Sequence, residues 1–233
     1  MIEVNSLNKN INGEPILKDI SFKIIPGKIT AIIGPSGSGK TTLLNCISLL
    51  SEIESGDVII DGETYLNKNK SLKSIYPKIG IVFQEPVLWP HMTNHENIEL
   101  PLKENNLSLN YQSLANKLNV YHLMKKYPHQ CSGGERQRIY LLRQLLLQPQ
   151  YLFLDEITSA LDVEHIQQVI DILFEYKKNN VGILLITHSI NFATKLADDF
   201  IFLDKGEVIE QGIITQLNDP LTKRLKIFLE FNL

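Results

Sequence analysis

Short runs of largely apolar residues recur along the chain and are separated by segments with a helical pattern. Five such runs occupy positions 29–33, 79–83, 151–154, 182–187 and 200–203. Runs that are apolar on successive residues predict strands buried on both faces, as in a parallel sheet. A helical stripe at spacings of three and four follows Asp162, the expected N-cap, and consists of Ile166, Val169, Ile170 and Leu173. Strands that alternate with helices predict a doubly wound α/β core.

Two parts of the chain depart from this alternation. Positions 2–7 and 16–25 predict strands of an antiparallel piece, which positions 57–62 continue with a turn at Asp61 and Gly62. From 85 to 147 the pattern indicates helices without strands. Four prolines are expected at the boundaries and turns of this part: Pro86, Pro90, Pro101 and Pro128. We therefore divide one domain, 1–233, into a core of 1–84 and 148–233, which includes the antiparallel piece, and a helical insertion of 85–147.

Composition narrows the class of protein further. With 233 residues and 43% hydrophobic content the chain can bury a globular core. The 23 basic and 26 acidic residues include only isolated basic pairs, which argues against a nucleic-acid partner. The N-terminus lacks a signal-peptide pattern, and no apolar run is long enough to span a bilayer. The two cysteines, Cys46 and Cys131, stand too far apart to suggest a metal knuckle.

The segment after the first apolar run fits a phosphate-binding loop. Its residues are Gly34, Pro35, Ser36, Gly37, Ser38, Gly39, Lys40 and Thr41, and we include Thr42 in the nucleotide-binding segment. The glycines let backbone N–H groups converge on phosphates, Lys40 reaches the β and γ phosphates, and Thr41 coordinates Mg²⁺. A predicted strand precedes this loop, and a predicted helix over 41–50 follows it and adds its dipole to the anion site.

A second glycine-rich segment comes some ninety residues later. It consists of Cys131, Ser132, Gly133, Gly134 and Glu135, and it precedes an acidic strand end at Asp155 and Glu156. Taken alone, such a segment is equally a glycine-permitted loop that enters a helix, here predicted over 135–147. Two phosphate-binding segments on one chain favour a nucleotide held between two chains.

The motifs, in this order and spacing, resemble the ATP-binding subunit of bacterial ABC transporters over almost the whole chain. They are the loop at 34–42, Gln84, the segment 132–134, Asp155 with Glu156, the segment 159–162, and Thr187 with His188. The resemblance implies a P-loop NTPase of the ABC type with a RecA-like core, and it implies ATP and Mg²⁺ as ligands.

The resemblance also implies roles for single residues. Lys40 and Thr41 neutralise the phosphates together with Mg²⁺, and Asp155 holds the metal directly or through water. Gln84 reaches Mg²⁺ or the attacking water and reports nucleotide state to the helical insertion. Glu156 is the general base or orients the water.

Other implied roles concern the far side of the nucleotide. His188 contacts the γ-phosphate, although a lone histidine at a strand end is more often a solvated surface residue. In the family, Ser132, Gly133, Gly134 and Glu135 act on the nucleotide bound to the other subunit. Asp162 lies at the same seam. The partner is a second copy of the chain or a homologous ATP-binding subunit.

Four residues depart from the family pattern without removing a catalytic group. Ile11 stands where the family usually has an aromatic residue that stacks on adenine, which predicts weak base binding and poor base discrimination. Cys131 replaces the usual leucine, Glu135 the usual glutamine and Ile157 the usual proline. Hydrolysis is therefore expected, at a rate that these changes can alter.

The resemblance further implies a membrane partner. An apolar cluster follows Gln84 and consists of Val87, Leu88, Trp89, Pro90 and Met92. In the family this region receives a short helix of the transmembrane permease, whereas core packing is an equally good explanation of Trp89. We expect a cytoplasmic subunit, peripheral on the inner membrane, that contacts the membrane only through the permease.

Three classes of function remain to be compared. The first is a transport ATPase, most like the importers of polar amino acids, although 96–102 and 132–138 look like the lipoprotein-release and macrolide-efflux branch. The second is a slow nucleotide-gated binding module, which loss of Glu156 or His188 would have favoured. The third, a DNA-repair or chromosome-organising ATPase, usually carries coiled-coil arms, and no heptad tract interrupts this core. The segment 159–162 favours import.

Overall fold

The computed structural model describes residues 1–65, 75–108, 110–158 and 163–231. The strands, in chain order, are β1 (Ile2–Ile11), β2 (Glu14–Ile24), β3 (Ile29–Ile33), β4 (Ser55–Ile60), β5 (Glu63–Tyr65), β6 (Ile79–Val82), β7 (Tyr151–Asp155), β8 (Gly182–Ile186), β9 (Asp199–Asp204) and β10 (Glu207–Ile213). The helices are α1 (Lys40–Ile47), α2 (Asn94–Glu104), α3 (Gln112–Lys117), α4 (Gly133–Leu146), α5 (Val163–Lys178), α6 (Ile190–Leu196) and α7 (Lys223–Glu230).

A six-stranded sheet forms the centre of the molecule and confirms the predicted parallel core. Its order is β10-β9-β3-β8-β7-β6, and every neighbouring pair is parallel except β10 with β9. All residues of β3, β6, β7 and β8 are buried. Burial on both faces explains why these segments are apolar on almost every residue.

The predicted antiparallel piece is a separate four-stranded sheet of order β2-β1-β4-β5. The predicted turn is confirmed, because Asp61 and Gly62 alone connect the paired residues Ile60 and Glu63. Both turn residues have positive φ, 50° and 83°, as a two-residue hairpin turn of right-handed twist requires.

The part of the chain between β6 and β7 is helical, as predicted. Its described residues, 85–108 and 110–147, contain α2, α3, α4 and two short 3₁₀ turns but no strand. One placement was wrong, because Pro101 lies inside α2 rather than at a boundary. The helix continues past it, and the Asn105 amide donates to the Pro101 carbonyl oxygen. Apolar side chains of this part, such as Ile98 and Ile139, share one buried cluster with the strands of the large sheet.

Element boundaries differ from the predicted ones by a few residues. The first helix ends at Ile47 rather than at 50, and Leu49 beyond it has a φ of 58°. The helix after the second glycine-rich segment begins at Gly133, two residues earlier than predicted. The expected N-cap Asp162 lies outside the described residues. In the described part of the chain, no helix is long and apolar enough to cross a membrane.

Candidate functional site

The carboxyl ends of four adjacent strands meet at one edge of the large sheet. The register pairs Ile32 of β3 with Ile186 of β8, Ile186 with Asp155 of β7, and Leu154 with Val82 of β6. The polar residues that follow these strands therefore converge: the glycine-rich loop, His188, Asp155 with Glu156, and Gln84. In parallel α/β sheets this edge is where ligands bind.

The loop after β3 needs glycine at two positions for steric reasons. At Gly34, with φ 155°, a Cβ atom would lie 2.0 Å from the Leu203 carbonyl oxygen. At Gly39, with φ 105°, it would lie 2.9 Å from the Leu17 side chain. The path of the loop between β2 and β9 therefore requires glycine at these two positions even without a bound ligand.

Lys40 lies inside this loop and is 7% exposed. Its Nζ donates hydrogen bonds to the carbonyl oxygens of Gly34 (2.8 Å) and Pro35 (2.9 Å). Burial lowers the pKa of Lys40, while the nearby charges of Glu156 and Asp155 act in the opposite direction. A buried ammonium held by two carbonyl groups can exchange these bonds for phosphate oxygens.

The helix that follows the loop offers its N-terminus to an anion. In the described structure no side chain caps α1, whose N-cap is Gly39. Its first-turn N–H groups, including those of Thr41 and Thr42, are therefore available to a phosphate. Ser36 and Gly37 at the tip of the loop are exposed, whereas Ser38 is buried and its amide donates to the Pro35 carbonyl oxygen.

Asp155 ends β7 beside Thr41 and is 4% exposed. The Thr41 hydroxyl donates to Asp155 Oδ2 at 3.4 Å. Burial, the largest cause, and the charge of Glu156 together raise the pKa of Asp155 to about 6, although Thr41 and Lys40 oppose the shift. A hydroxyl and a carboxylate oxygen side by side fit a hard divalent cation such as Mg²⁺. Gln84 lies beyond the end of β6, and its side chain is exposed. Only because this side chain is long can it extend toward Thr41 and Asp155.

Glu156 adopts an unusual backbone conformation. Its φ is 47°, and its amide donates to the Ile186 carbonyl oxygen at 2.9 Å, which holds the turn to the neighbouring strand. A left-handed conformation at a non-glycine residue costs free energy and is typical of functional positions. Its Oε1 lies 3.4 Å from Nδ1 of His188, whose side chain is 62% exposed. The Glu156 carboxylate and the His188 imidazole therefore face the same solvent-exposed space at the edge of the sheet.

The second glycine-rich segment opens α4 with a capping box. Ser132 Oγ accepts from the Glu135 amide at 3.2 Å, and the Glu135 carboxylate accepts from the Ser132 amide at 2.7 Å. The backbone hydrogen bond from Ser132 lowers the pKa of Glu135. Glu135 thus has a structural task that the sequence analysis did not foresee. Ser132 is exposed, and Gly133 and Gly134 are partly exposed, at the N-terminus of a 14-residue helix.

The structure also places the residues that depart from the expected pattern. Ile11 is the last residue of β1, pairs with Glu14 and is 43% exposed. Cys131 is buried behind the capping box, and Ile157 is 1% exposed in the core. The predicted site residue Asp162 lies outside the described residues.

Trp89 is not a core residue, so core packing does not explain the tryptophan at this position. Trp89 is 39% exposed and Val87 is 58% exposed, whereas Leu88 between them packs on the core. The apolar cluster after Gln84 therefore presents two of its large side chains to solvent.

Sequence reasoning missed two polar residues of α4 that hold this segment. Gln137 donates from Nε2 to the Phe83 carbonyl oxygen at 3.0 Å, and Arg143 donates from Nη2 to the Val87 carbonyl oxygen at 2.7 Å. The signal was present in the sequence, because Arg143 interrupts an otherwise apolar run with a charge that burial makes costly.

Comparison with known proteins agrees with this geometry. Residues 17–159 match the family model described as ABC transporter. A glutamine transport ATP-binding protein of Geobacillus stearothermophilus is 36% identical over 98% of both chains. An L-cystine transport system ATP-binding protein of Escherichia coli (strain K12) is 37% identical over 98% of this chain and 97% of its own.

Solved structures show the same fold. The dimeric ABC transporter cassette MJ0796 is 29% identical, covers 92% of this chain and 99% of its own, and has a TM-score of 0.84. The same cassette in a dimeric post-hydrolysis state, bound to ADP and Pi, has a TM-score of 0.81 at the same identity and coverage.

Proposed function

The chain belongs to the ABC transporter family, and we propose that it is the ATP-hydrolysing subunit of a transporter that takes up polar amino acids. One observation carries the substrate class: the likeness to glutamine and cystine transport ATP-binding proteins extends over nearly the whole of each chain. The ATPase activity is that of the family, and the contacts of Lys40, Thr41 with Asp155, and Glu156 with His188 at the edge of the large sheet support it.

Binding of the phosphates falls to the loop and the start of α1. The Lys40 ammonium exchanges its two carbonyl partners for oxygens of the β and γ phosphates, and first-turn N–H groups donate to the same anion. Thr41 and Asp155 would hold Mg²⁺, which when bound supplies positive charge to the phosphoryl oxygens. Gln84 would supply a further oxygen at this point.

Hydrolysis requires an oriented water molecule. The Glu156 carboxylate would accept the proton of that water as its oxygen bonds to the γ phosphorus and the bond to the β–γ bridging oxygen breaks. His188 faces the same space and would donate to a γ-phosphate oxygen. The left-handed turn at Glu156, whose amide donates to the Ile186 carbonyl oxygen, supports this role because it holds the residue at the strand end.

A second copy, or a homologous subunit, would complete the site. The N-terminus of α4 presents Ser132, Gly133 and Gly134 with a positive end and an exposed hydroxyl, which suits a phosphate of the partner's nucleotide. We infer that Glu135 and Asp162 border this seam. The dimeric arrangement of the related cassette supports this inference.

The membrane contact would run through Trp89 and Val87. These side chains are exposed directly after Gln84, so a permease segment seated on them would sense the nucleotide through the same stretch of chain. We infer a location at the cytoplasmic face of the inner membrane, where the permease alone contacts the bilayer. The release and efflux branch remains the alternative that the uptake experiment below excludes or supports.

The experiment is uptake by cells whose chromosomal copy carries Lys40→Met. Labelled glutamine, cystine and arginine are supplied separately, and the proposal expects uptake of at least one to fall to background. Lys223→Met, at an exposed position of α7, is the matched control and should leave uptake unchanged. Unaltered uptake of every amino acid, together with lost macrolide resistance or lipoprotein release, would replace the importer with the alternative.

A further inference from the structure

The segment from Phe83 to Trp89 joins the sheet edge to the exposed apolar surface. It begins directly after β6, carries Gln84, and ends at the half-exposed ring of Trp89. Two side chains of α4 donate hydrogen bonds to backbone carbonyl oxygens of this segment. Gln137 donates to Phe83, and Arg143 donates to Val87. Positions 137 and 143 are separated by nearly two turns of the helix, so the segment is attached to α4 at two points along its length.

Arg143 has surroundings that are unusual for a buried charge. Its guanidinium carbon lies 5.0 Å from the centre of the Trp89 ring and 4.8 Å from that of Tyr140, and the residue is 7% exposed. Among the described residues its electrostatic neighbours are Tyr140 and Tyr76 rather than a carboxylate, and its Nη1 has no hydrogen-bond partner. A methionine at this place would avoid the desolvation cost of the charge. The guanidinium must therefore do something that an apolar side chain cannot.

That task is visible in how Trp89 is held. Asn97 of α2 fixes the backbone of Trp89, since its Oδ1 accepts from the Trp89 amide at 2.7 Å and its Nδ2 donates to the Trp89 carbonyl oxygen at 3.0 Å. The Trp89 ring is contacted by Arg143, whose guanidinium stacks on it and also donates a hydrogen bond to the Val87 carbonyl oxygen. Cation–π stacking on tryptophan is attractive, and it becomes stronger as the pair is withdrawn from water.

The same helix begins at the proposed phosphate contact. α4 runs without interruption from Gly133 to Leu146, about 20 Å at the usual rise per residue. Ser132 lies at its N-terminal end and Arg143 near its C-terminal end, so a displacement at one end reaches the other through a rigid rod.

We propose that Arg143 is a positioning residue that fastens the segment 83–89 and the Trp89 ring to α4, so that nucleotide binding moves the exposed surface together with Ser132. The inference rests on the proposed function and concerns the coupling rather than the chemistry. Arg143 acts through Trp89 and Val87 and is not among the residues that we propose to bind nucleotide or metal.

The chain contains one tryptophan, which makes the coupling measurable. The full chain carrying Glu156→Gln, which we expect to bind ATP without hydrolysing it, is titrated with MgATP while Trp89 emission and nucleotide affinity are followed separately. We expect a shift of Trp89 emission on saturation. Adding Arg143→Met should reduce that shift at least threefold while the ATP Kd changes less than twofold.

A buried arginine on the same helix provides the matched control. Arg138 is 5% exposed and donates from Nε to the Leu118 carbonyl oxygen, so Arg138→Met also removes a buried guanidinium from α4. It should lower the unfolding temperature to a similar extent and keep the emission shift. Arg143→Lys retains the charge without the planar fork, and it should fail to restore the shift.

The outcomes separate the two proposals. Absence of MgATP binding by the parent chain contradicts the proposed function itself. Binding with an unchanged Trp89 emission, an equal shift in Arg143→Met, or an equal loss in Arg138→Met overturns the positioning role alone. Full restoration of the Trp89 emission shift by Arg143→Lys would show that a positive charge alone is sufficient, and it would also overturn the positioning role.

Discussion

Nδ1 of His188 lies 3.4 Å from Oε1 of Glu156, although the two residues follow different strands. The pairing arises because β7 and β8 are parallel neighbours whose carboxyl ends coincide, with Asp155 opposite Ile186. The amide of Glu156 donates to the Ile186 carbonyl oxygen, which ties the turn at Glu156 to the end of β8. The residues that we propose as base and as hydrogen-bond donor therefore lie side by side at the end of the two strands.

Replacement of this base should separate binding from hydrolysis. Glu156→Gln keeps the size of the side chain and removes its capacity to accept a proton. We expect the MgATPase rate of the purified chain to fall by about 10²–10⁴-fold, the usual contribution of a general base, while ATP affinity changes little. Phosphate release and nucleotide titration measure the two quantities.

Glu207→Gln is the control for this change, because its carboxylate is exposed on β10 and pairs with Lys18 at the surface. It should leave the rate intact. Equal turnover by Glu156→Gln and the parent chain would remove Glu156 from the role of base.

The sequence predicted the parallel core and the loop because each depends on local properties. A strand buried on both faces must be apolar on nearly every residue, and the loop needs glycine where Gly34 meets the Leu203 carbonyl group. The capping role of Glu135 was not predicted. A glutamate at this position fits both a capping box and a contact with the partner's nucleotide, so the sequence alone does not distinguish the two roles. Pro101 was misplaced because a helix held by tertiary packing tolerates a proline that local propensity excludes.

Base binding should improve when the missing aromatic side chain is supplied. Ile11 is exposed at the end of β1, where it offers little surface to an adenine ring. Ile11→Tyr adds a stacking face worth about 1 kcal/mol, so ATP should bind about fivefold tighter. Equilibrium titration with ATP measures this, and Ile213→Tyr, at another exposed isoleucine, is the control. An unchanged affinity in Ile11→Tyr would place the base elsewhere.

The capping box should contribute to stability in a pH-dependent way. Glu135→Ala removes one half of the box and should cost about 1 kcal/mol in the free energy of unfolding. The pKa of Glu135 is lowered in the folded state, so the stability that its charge contributes is complete well above the ordinary pKa of about 4.3 and is lost as the pH falls through the folded-state pKa.

Urea denaturation without nucleotide, at neutral and at acid pH, measures this contribution. The advantage of the parent chain over Glu135→Gln should shrink as the medium is acidified. An advantage that stays constant from neutral pH to below pH 4 would show that the charge does not contribute through the cap.

The exposed ring of Trp89 should matter to the permease and not to the nucleotide. Trp89→Ala should weaken co-purification with the membrane subunit by an amount typical of an interface hot spot, about 2 kcal/mol or roughly thirtyfold, while ATP affinity stays unchanged. Leu221→Ala changes a side chain that is 83% exposed elsewhere and serves as control. Undiminished co-purification of Trp89→Ala would exclude this surface as the docking site.

The central claim is that ATP is bound between the loop of one copy and Ser132 of another. Sedimentation of Glu156→Gln with MgATP measures it, alone and combined with Ser132→Asn or Ser132→Asp, both of which can cap α4. We predict a dimer with MgATP for the parent and for Ser132→Asn. We predict a monomer that still binds ATP for Ser132→Asp, whose charge would repel the phosphate. An ATP-loaded parent that remains a monomer, or a Ser132→Asp dimer as stable as the parent's, would contradict the claim.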